Sequence, residues 1–314
     1  MDKILIFDFG SQTTQLIGRR VRDFGVYTDI VPAESKCTAE LMKDVKGIIL
    51  SGSPFSVYQD GAPKADPSIY ETGLPVLGIC YGFQRMTADF GGKVTALDKT
   101  EYGRSKIKYI RASQLFKGIP EGFTSWMSHG DSIEKTGEGF ELLAKSDHHI
   151  ACAFNSVKNL YGIQFHPEVS HCEHGQDVLK NFVTGICGAQ TGWNMDTYLK
   201  KEIEEVQRRS SGRDVLLLIS GGVDSTVVGG LLLKALPPSR VHLMYIDTGL
   251  MRKEESVEVE AGLKKLGAQN LYLIDASERF LTALKGVSDP EEKRSIIGVL
   301  FMRVQEDVID SPFD

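Results

Sequence analysis

The chain has 314 residues, of which 41% are hydrophobic and 25% charged, and carries a net charge of −6. A mild acidic balance gives no global electrostatic pull toward nucleic acid or an anionic membrane. No apolar run approaches the roughly 18 residues of a spanning helix, and single cores seldom grow past about 250–300 residues, so two domains are expected. Five cysteines (Cys37, Cys80, Cys152, Cys172 and Cys187) are odd in number and form no C-x-x-C pair. They read as reduced thiols of a cytoplasmic protein rather than a disulfide framework. The opening run Ile4-Leu5-Ile6-Phe7 is too short for a signal peptide and is closed by Asp8.

In chain order, Ile4 to Phe9 reads as a buried strand and Gln12 to Phe24 as a helix. Val26 to Val31 is a second strand, Ala39 to Asp44 a short helix, and Gly47 to Leu50 a third strand running into Ser51-Gly52-Ser53-Pro54. After a helical turn at Pro67 to Glu71, the strand Pro75 to Ile79 leads to Cys80 and a helical pattern at Phe83, Met86 and Phe90. Strands alternating with helices at this spacing imply parallel βαβ units, whose ligand-binding turns lie at the carboxyl ends of the strands. From Gly92 the texture changes to short strands at Ser105 to Ile110, Glu141 to Lys145, Ile150 to Phe154 and Leu160 to Phe165. A helix follows from Gly175 to Ile186.

A boundary is expected at Gly188 to Gly192, giving domains at 1–189 and 190–314. Met195 to Arg209 is a charged, solvated helix. A second series then has strands at Val215 to Ile219, Val241 to Ile246 and Leu271 to Ile274. Its helices are at Ser225 to Leu236 and Glu254 to Leu266, and a last charged helix runs through Ser288 to Asp314. The fold class is α/β, with two domains, each a mainly parallel sheet flanked by helices. Three strands are few for a sheet covered on both faces.

Chemistry concentrates at Gly78-Ile79-Cys80-Tyr81-Gly82. Small residues on either side of Cys80 suit a tight strand-to-helix turn that holds one side chain clear, as in a nucleophile elbow. The helix start would favour a thiolate there. Taken alone, the position reads equally as a small core thiol. A thiol nucleophile needs a base and an orienting acid. The strand Leu160 to Phe165 runs into His166-Pro167-Glu168, where Pro167 ends the ladder and residues two apart point the same way. His166, His171, Cys172 and His174 could also be read as a metal site, but H-x4-H-C-x-H lacks the regular spacing of zinc ligands. The pair His148-His149 reads as exposed turn chemistry.

Gly78 to Gly82 with Gln84, followed by Gly162-Ile163-Gln164-Phe165-His166-Pro167-Glu168, resembles the class I (triad) glutamine amidotransferases over residues 3 to 188. The resemblance implies that Cys80 attacks the side-chain amide of glutamine, His166 shuttles the proton and Glu168 orients His166. It implies an oxyanion hole at the backbone N–H groups of Gly52 and Tyr81, such donors being worth about 3 kcal/mol of barrier each. It further implies that Gln84 and the Trp126 to Asp131 segment, with Ser128, His129 and Gly130, hold the substrate glutamine. Ser53 departs from the second glycine of many members, while Gly52 is retained.

The second constellation is Ser220-Gly221-Gly222-Val223-Asp224-Ser225-Thr226, between an aliphatic strand and a helix. Glycines admit an anion close to the backbone, and hydroxyls plus the helix start donate to it, making a phosphate cradle. It is neither a Walker A loop nor a dinucleotide motif. Asp224 beside phosphates calls for a bridging divalent cation, read as Mg²⁺. The loop resembles the pyrophosphate loop of the N-type ATP pyrophosphatases, which adenylate a carbonyl oxygen. A triad amidotransferase placed ahead of it resembles the glutamine-hydrolysing GMP synthetase family. Asp8-Phe9-Gly10-Ser11-Gln12, Asp247-Thr248-Gly249-Leu250-Met251-Arg252 and Asp289 to Arg294 agree with that family.

The resemblance implies ATP at Ser220 to Thr226, adenosine near Asp247, and xanthosine monophosphate as acceptor. ATP adenylates its O2, and ammonia from glutamine displaces AMP to give GMP, pyrophosphate and glutamate. Passing ammonia under cover avoids its protonation. Members of the family continue further, completing the second sheet and adding a dimerisation domain that helps hold the acceptor. On that comparison the chain carries an incomplete pyrophosphatase domain, and homodimerisation belongs to the absent part. The alternative expectation is a chain acting only as a glutaminase, or as a nucleotide- or glutamine-binding remnant.

Overall fold

The computed structural model describes residues 1–147 and 149–310. They fall into two compact units, Met1–Asn194 and Met195–Asp314, each built on its own sheet.

The first unit begins with β1 (Lys3–Asp8), α1 (Thr14–Asp23), β2 (Tyr27–Pro32), β3 (Val45–Leu50), β4 (Val76–Ile79) and α2 (Tyr81–Asp89). It continues with β5 (Lys93–Lys106), β6 (Lys108–Tyr109), β7 (Thr124–Lys135), β8 (Glu141–Lys145), β9 (Ile150–Asn155), β10 (Leu160–Ile163) and α3 (Gly175–Lys180). The last helix widens to π-type bonding over Asn181–Ile186. Eight strands form one sheet in the order β2-β1-β3-β4-β10-β9-β8-β6. The ladders from β2 to β10 are parallel and those from β10 to β6 antiparallel. The mainly parallel sheet is therefore extended on one side by hairpin-like strands.

Burial on both faces explains why β1 is continuously apolar. Ile4 and Ile6 enter one core with Ile17 and Val21 of α1, whereas Leu5 and Phe7 enter the other with Phe83 and Met86 of α2. A Cβ at Gly162 would stand 1.9 Å from the Phe83 ring, so only glycine lets α2 lie against β10. This packing holds the start of α2 beside the end of β10.

Several elements differ from the sequence reading. Residues 39–44 form turns, not a helix. Met42 N–H reaches the Thr38 carbonyl at 2.9 Å, but Asp44 adopts φ +63° and turns the chain directly into β3. One turn offers too few bonds to offset nucleation. The strand β7 was not anticipated. It pairs antiparallel with β5 in a separate two-stranded sheet. Its inward positions include Ser125 and His129 as well as Met127, which hides the apolar period. His149 is half-buried rather than on an exposed turn, its ring 6.1 Å from that of His129. His148 lies outside the described residues.

The second unit comprises α4 (Met195–Ser210), β11 (Val215–Leu218), α5 (Val223–Ala235), β12 (Val241–Asp247), α6 (Glu255–Lys265), β13 (Asn270–Asp275), α7 (Ser277–Leu284) and α8 (Pro290–Asp310). Residues 311–314, the end of the expected last helix, lie outside the described residues, and α7 was not anticipated. The sheet is parallel in the order β11-β12-β13. Both faces of β12 are covered despite the small sheet. Leu243 and Tyr245 meet Leu232 of α5 and Leu263 of α6, and Met244 and Ile246 meet Phe280 of α7 and Val304 of α8. The aliphatic strand β11 is less enclosed, and Leu216 remains 37% exposed. Among the described residues no helix is long and apolar enough to cross a membrane.

Candidate active site

Cys80 links β4 to α2 with φ +53° and ψ −107°, a backbone conformation that costs a side-chain-bearing residue on the order of 1–3 kcal/mol. The surroundings hold it there. Cys80 N–H donates to the Ile163 carbonyl at 2.8 Å, tying the elbow to the end of β10. Gly82 N–H donates to Ser51 at 3.1 Å, tying it to the end of β3. A Cβ at Gly78 would come within 2.7 Å of the Gly82 carbonyl carbon, and one at Gly82 within 2.4 Å of the Leu50 oxygen. The small flanking residues are thus steric necessities. Cys80 is 5% exposed. Its Sγ lies 3.8 Å from the Ser128 carbonyl oxygen and accepts a 3.6 Å contact from Gln164 Nε2.

His166 follows β10 on a turn, its N–H donated to the Trp126 carbonyl at 3.1 Å. Its Nδ1 is 2.8 Å from Glu168 Oε1, which fixes Nδ1 as the donor and turns the other side of the ring to the Cys80 thiol. Burial lowers the pKa of His166, but the Cys80 thiolate and the Glu168 carboxylate, with their hydrogen bonds, outweigh it and raise it well above the ordinary value. Glu168 is 1% exposed. Its Oε1 also accepts from Thr13 Oγ1 at 2.7 Å, and Arg20 Nε donates to its carbonyl at 3.2 Å. The rival metal grouping is not assembled. His171 packs against Trp126, Cys172 Sγ contacts the Glu173 carbonyl, and His174 bonds Asp177. Among the described residues no three His, Cys, Asp or Glu side chains are placed to hold a metal ion.

Cys80 and His166 open into a cleft of about 550 Å³ that Gln84, Ser128, His129 and Gly130 also line. Gln84 is buried, donating from Nε2 to the Asp131 carbonyl at 2.9 Å and to Gln164 Oε1 at 3.3 Å. Gly52 lies against the catalytic-type pair: a Cβ there would meet His166 Cε1 at 3.4 Å and Ser11 Oγ at 3.5 Å. Tyr81 opens α2, its own side chain buried with the hydroxyl donated to Pro63 at 2.7 Å. Neither the Gly52 nor the Tyr81 backbone N–H has an acceptor among the described residues. Thr13, Gln164 and Tyr102, the last of which also lines the cleft, were not singled out from the sequence. Gln164 stood within the His166 motif and Thr13 just after Asp8 to Gln12, but nothing in their spacing marked them.

In the second unit, Ser220 to Thr226 spans the turn from β11 into α5. Gly221 has φ +77°, and a Cβ there would strike Val259 Cγ2 at 2.3 Å. Ser220 Oγ lies 3.2 Å from Ser225 Oγ and accepts from Gly222 N–H at 3.3 Å, folding the hydroxyls over the helix start. Val223 and Asp224 occupy its exposed first turn, and Thr226 N–H donates to Gly222 at 3.1 Å. Asp247, at the end of the neighbouring β12, accepts from Ser256 Oγ at 2.6 Å and Gly249 N–H at 2.8 Å. One exposed carboxylate is no cage for a cation, but it suits Mg²⁺, which takes one or two carboxylates plus substrate phosphates.

The chain matches the class-I glutamine amidotransferase family over residues 5–186 and the NAD synthase family over residues 195–293. It is 46% identical over 307 residues to a glutamine-hydrolysing GMP synthase of Lactobacillus johnsonii, covering 96% of this chain and 59% of that protein. It is 47% identical over 304 residues to the Aquifex aeolicus protein of the same name, covering 96% and 59%. A solved chain from Thermoplasma acidophilum, described as one component of a candidate GMP synthase, aligns with TM-score 0.54 and 30% identity over 65% of this chain and 98% of its own. The chain therefore spans about 60% of the length of the curated relatives it matches. With the elbow, the histidine–glutamate pair and this match together, the chain belongs to the class-I glutamine amidotransferase family.

Proposed function

We propose that the first unit hydrolyses glutamine at Cys80. The observation that carries this reading is a strained elbow thiol in contact with His166, whose far nitrogen is held by Glu168 at 2.8 Å. The Cys80 thiolate attacks the side-chain amide carbon, and the developing oxyanion is received by the Gly52 and Tyr81 N–H groups. His166 gives its proton to the departing nitrogen, ammonia leaves, and a γ-glutamyl thioester remains on Cys80. Water then attacks the thioester as His166 takes its proton, releasing glutamate and restoring the thiol. Gln84, Ser128, His129 and Gly130 form the wall that holds the glutamine.

We further propose that the ammonia serves GMP synthesis. ATP binds with its phosphates at Ser220 to Thr226 and its adenosine near Asp247, and adenylates O2 of xanthosine monophosphate with loss of pyrophosphate; ammonia then displaces AMP to give GMP. Asp224 would hold Mg²⁺ arriving with ATP, an ion that neutralises phosphate charge. Support comes from relatives named as glutamine-hydrolysing GMP synthases over 96–98% of this chain. The five free cysteines favour a reducing, cytoplasmic setting. A glutaminase without synthesis is the second reading, favoured by the elbow and the His166–Glu168 pair lying wholly within the first unit. Incubation with glutamine, ATP-Mg²⁺ and xanthosine monophosphate, following glutamate and GMP together, separates them: both products support the full reading and glutamate alone the second. Absence of glutamate release refutes the first step.

A further inference from the structure

Beside the cleft, β5 and β7 set a second pair of titratable side chains face to face. Glu101 and His129 are direct partners across the ladder, immediately after an irregularity between Ala96 and Glu101. Glu101 Oε2 lies 3.1 Å from His129 Nε2, with the histidine side chain only 2% exposed. On its other edge, His129 Nδ1 is 2.8 Å from the Asp131 carbonyl.

A carbonyl can only accept, so Nδ1 carries a proton. Nε2 faces the Glu101 carboxylate, so the ring is held on both of its edges. The approach is close, and neither atom has another hydrogen-bond partner among the described residues. His149 Nε2 stands 3.9 Å from the same oxygen, and the Ser105 hydroxyl also faces the carboxylate. Burial pushes the Glu101 carboxyl up, but His129, His149 and Ser105 together hold it below its usual range, leaving the charge on Glu101.

We propose that Glu101 is a positioning residue for glutamine binding, clamping His129 and through it the Ser128–Asp131 wall of the cleft. The inference rests on the reading of that cleft as the glutamine site. The route is short. The Asp131 carbonyl accepts from both His129 Nδ1 and Gln84 Nε2, so one ring orientation registers both pocket walls. Ser128, next to His129, places its carbonyl against Cys80 Sγ. Glu101 does not itself line the cleft residues that meet the thiol. It should therefore govern how well glutamine is held and leave the intrinsic reactivity of Cys80 alone.

The test uses the 314-residue chain and its Glu101→Gln and Glu101→Asp variants. Glutamate release gives KM and kcat, and Cys80 is labelled in parallel with iodoacetamide and with a glutamine-shaped chloroketone. Loss of one charged contact predicts a KM rise of about tenfold for Glu101→Gln with kcat changed far less. Chloroketone labelling should slow in step with the KM change, and iodoacetamide labelling should not change. Glu101→Asp should recover part of the loss; where Glu101→Gln does not fold, the aspartate variant alone should show a smaller KM rise. An unchanged KM, or equal slowing by both reagents, overturns the proposal. A wild-type chain that neither releases glutamate nor prefers the chloroketone overturns the glutamine reading itself, and the inference with it.

Discussion

Replacing Glu168 by glutamine tests the reading of the catalytic pair most directly. The side chain is buried, its Oε1 accepts from both His166 Nδ1 and Thr13, and its Oε2 has no partner among the described residues. The substitution keeps volume and an acceptor while removing the charge. Hydrogen bonds to a charged group contribute roughly 1.5–3 kcal/mol. If that difference falls on the protonated His166 required in the transition state, kcat drops roughly 10- to 150-fold. The pH dependence has a definite sign. His166 is raised above its ordinary 6.5 by Cys80 and Glu168 against the lowering effect of burial. Removing Glu168 takes away part of that raise, so the alkaline limb of glutamate release, where His166 loses the proton it gives to the leaving nitrogen, moves to lower pH. Stability shifts with it. The raised histidine contributes stability that is full below its unfolded pKa and lost as pH rises through its folded value, and the variant loses part of that contribution. Glutamate release followed across pH measures the first effect, and urea unfolding across pH the second. A variant within twofold of wild type, with its alkaline limb in place, would refute the orienting role of Glu168.

Three further outcomes follow from the same geometry. Gly82→Ala puts a Cβ 2.4 Å from the Leu50 oxygen, so the elbow backbone must move. A loss of about 1–3 kcal/mol in urea unfolding is expected, with glutaminase activity falling alongside; a neutral result would show that the elbow is not sterically closed. In thiol mapping by mass spectrometry of the native chain at neutral pH, Cys80 should be alkylated first. Burial pushes the Cys172 thiol up to about 12 and those of Cys152 and Cys187 higher still, so early labelling of any of these would contradict the packing. Gly221→Ala must fit a Cβ 2.3 Å from Val259 at φ +77°. Titration calorimetry should show ATP affinity reduced at least tenfold, and unchanged affinity would remove the loop from the nucleotide site.

What could be read from residues alone followed one rule: chemistry that needs a particular backbone leaves a local mark. Cys80 between glycines, and His166-Pro167-Glu168 after an aliphatic strand, are visible because strand-to-helix turns and ladder ends constrain their neighbours. The strand positions of the parallel series were legible for the same reason, as two-sided burial makes each a short aliphatic run. The wall of the cleft was not. In β7 the buried positions include Ser125, His129 and Ser132, polar groups that erase the apolar alternation. Thr13 and Glu168 are 155 positions apart, and no local pattern announces their 2.7 Å bond. The helix expected at 39–44 failed in the opposite way: local propensity was present, but the chain had to turn at Asp44 to enter β3.

The two candidate sites use one architectural device for opposite ends. Both lie where a parallel strand stops and a helix starts, so backbone N–H groups and the positive end of a helix dipole are available without special arrangement. At Cys80 the glycines flank a side chain forced into φ +53°, and the strain presents a nucleophile. At Gly221 the glycine itself takes φ +77°, and the missing side chain lets the turn close against Val259 while the Ser220 and Ser225 hydroxyls fold over the helix start. A projected thiol suits covalent attack on a neutral amide, whereas hydroxyls gathered over a helix start suit holding the phosphates of a nucleotide. The proposed glutamine cleavage in one unit and nucleotide binding in the other fit that contrast, since the first turn projects a side chain and the second dispenses with one.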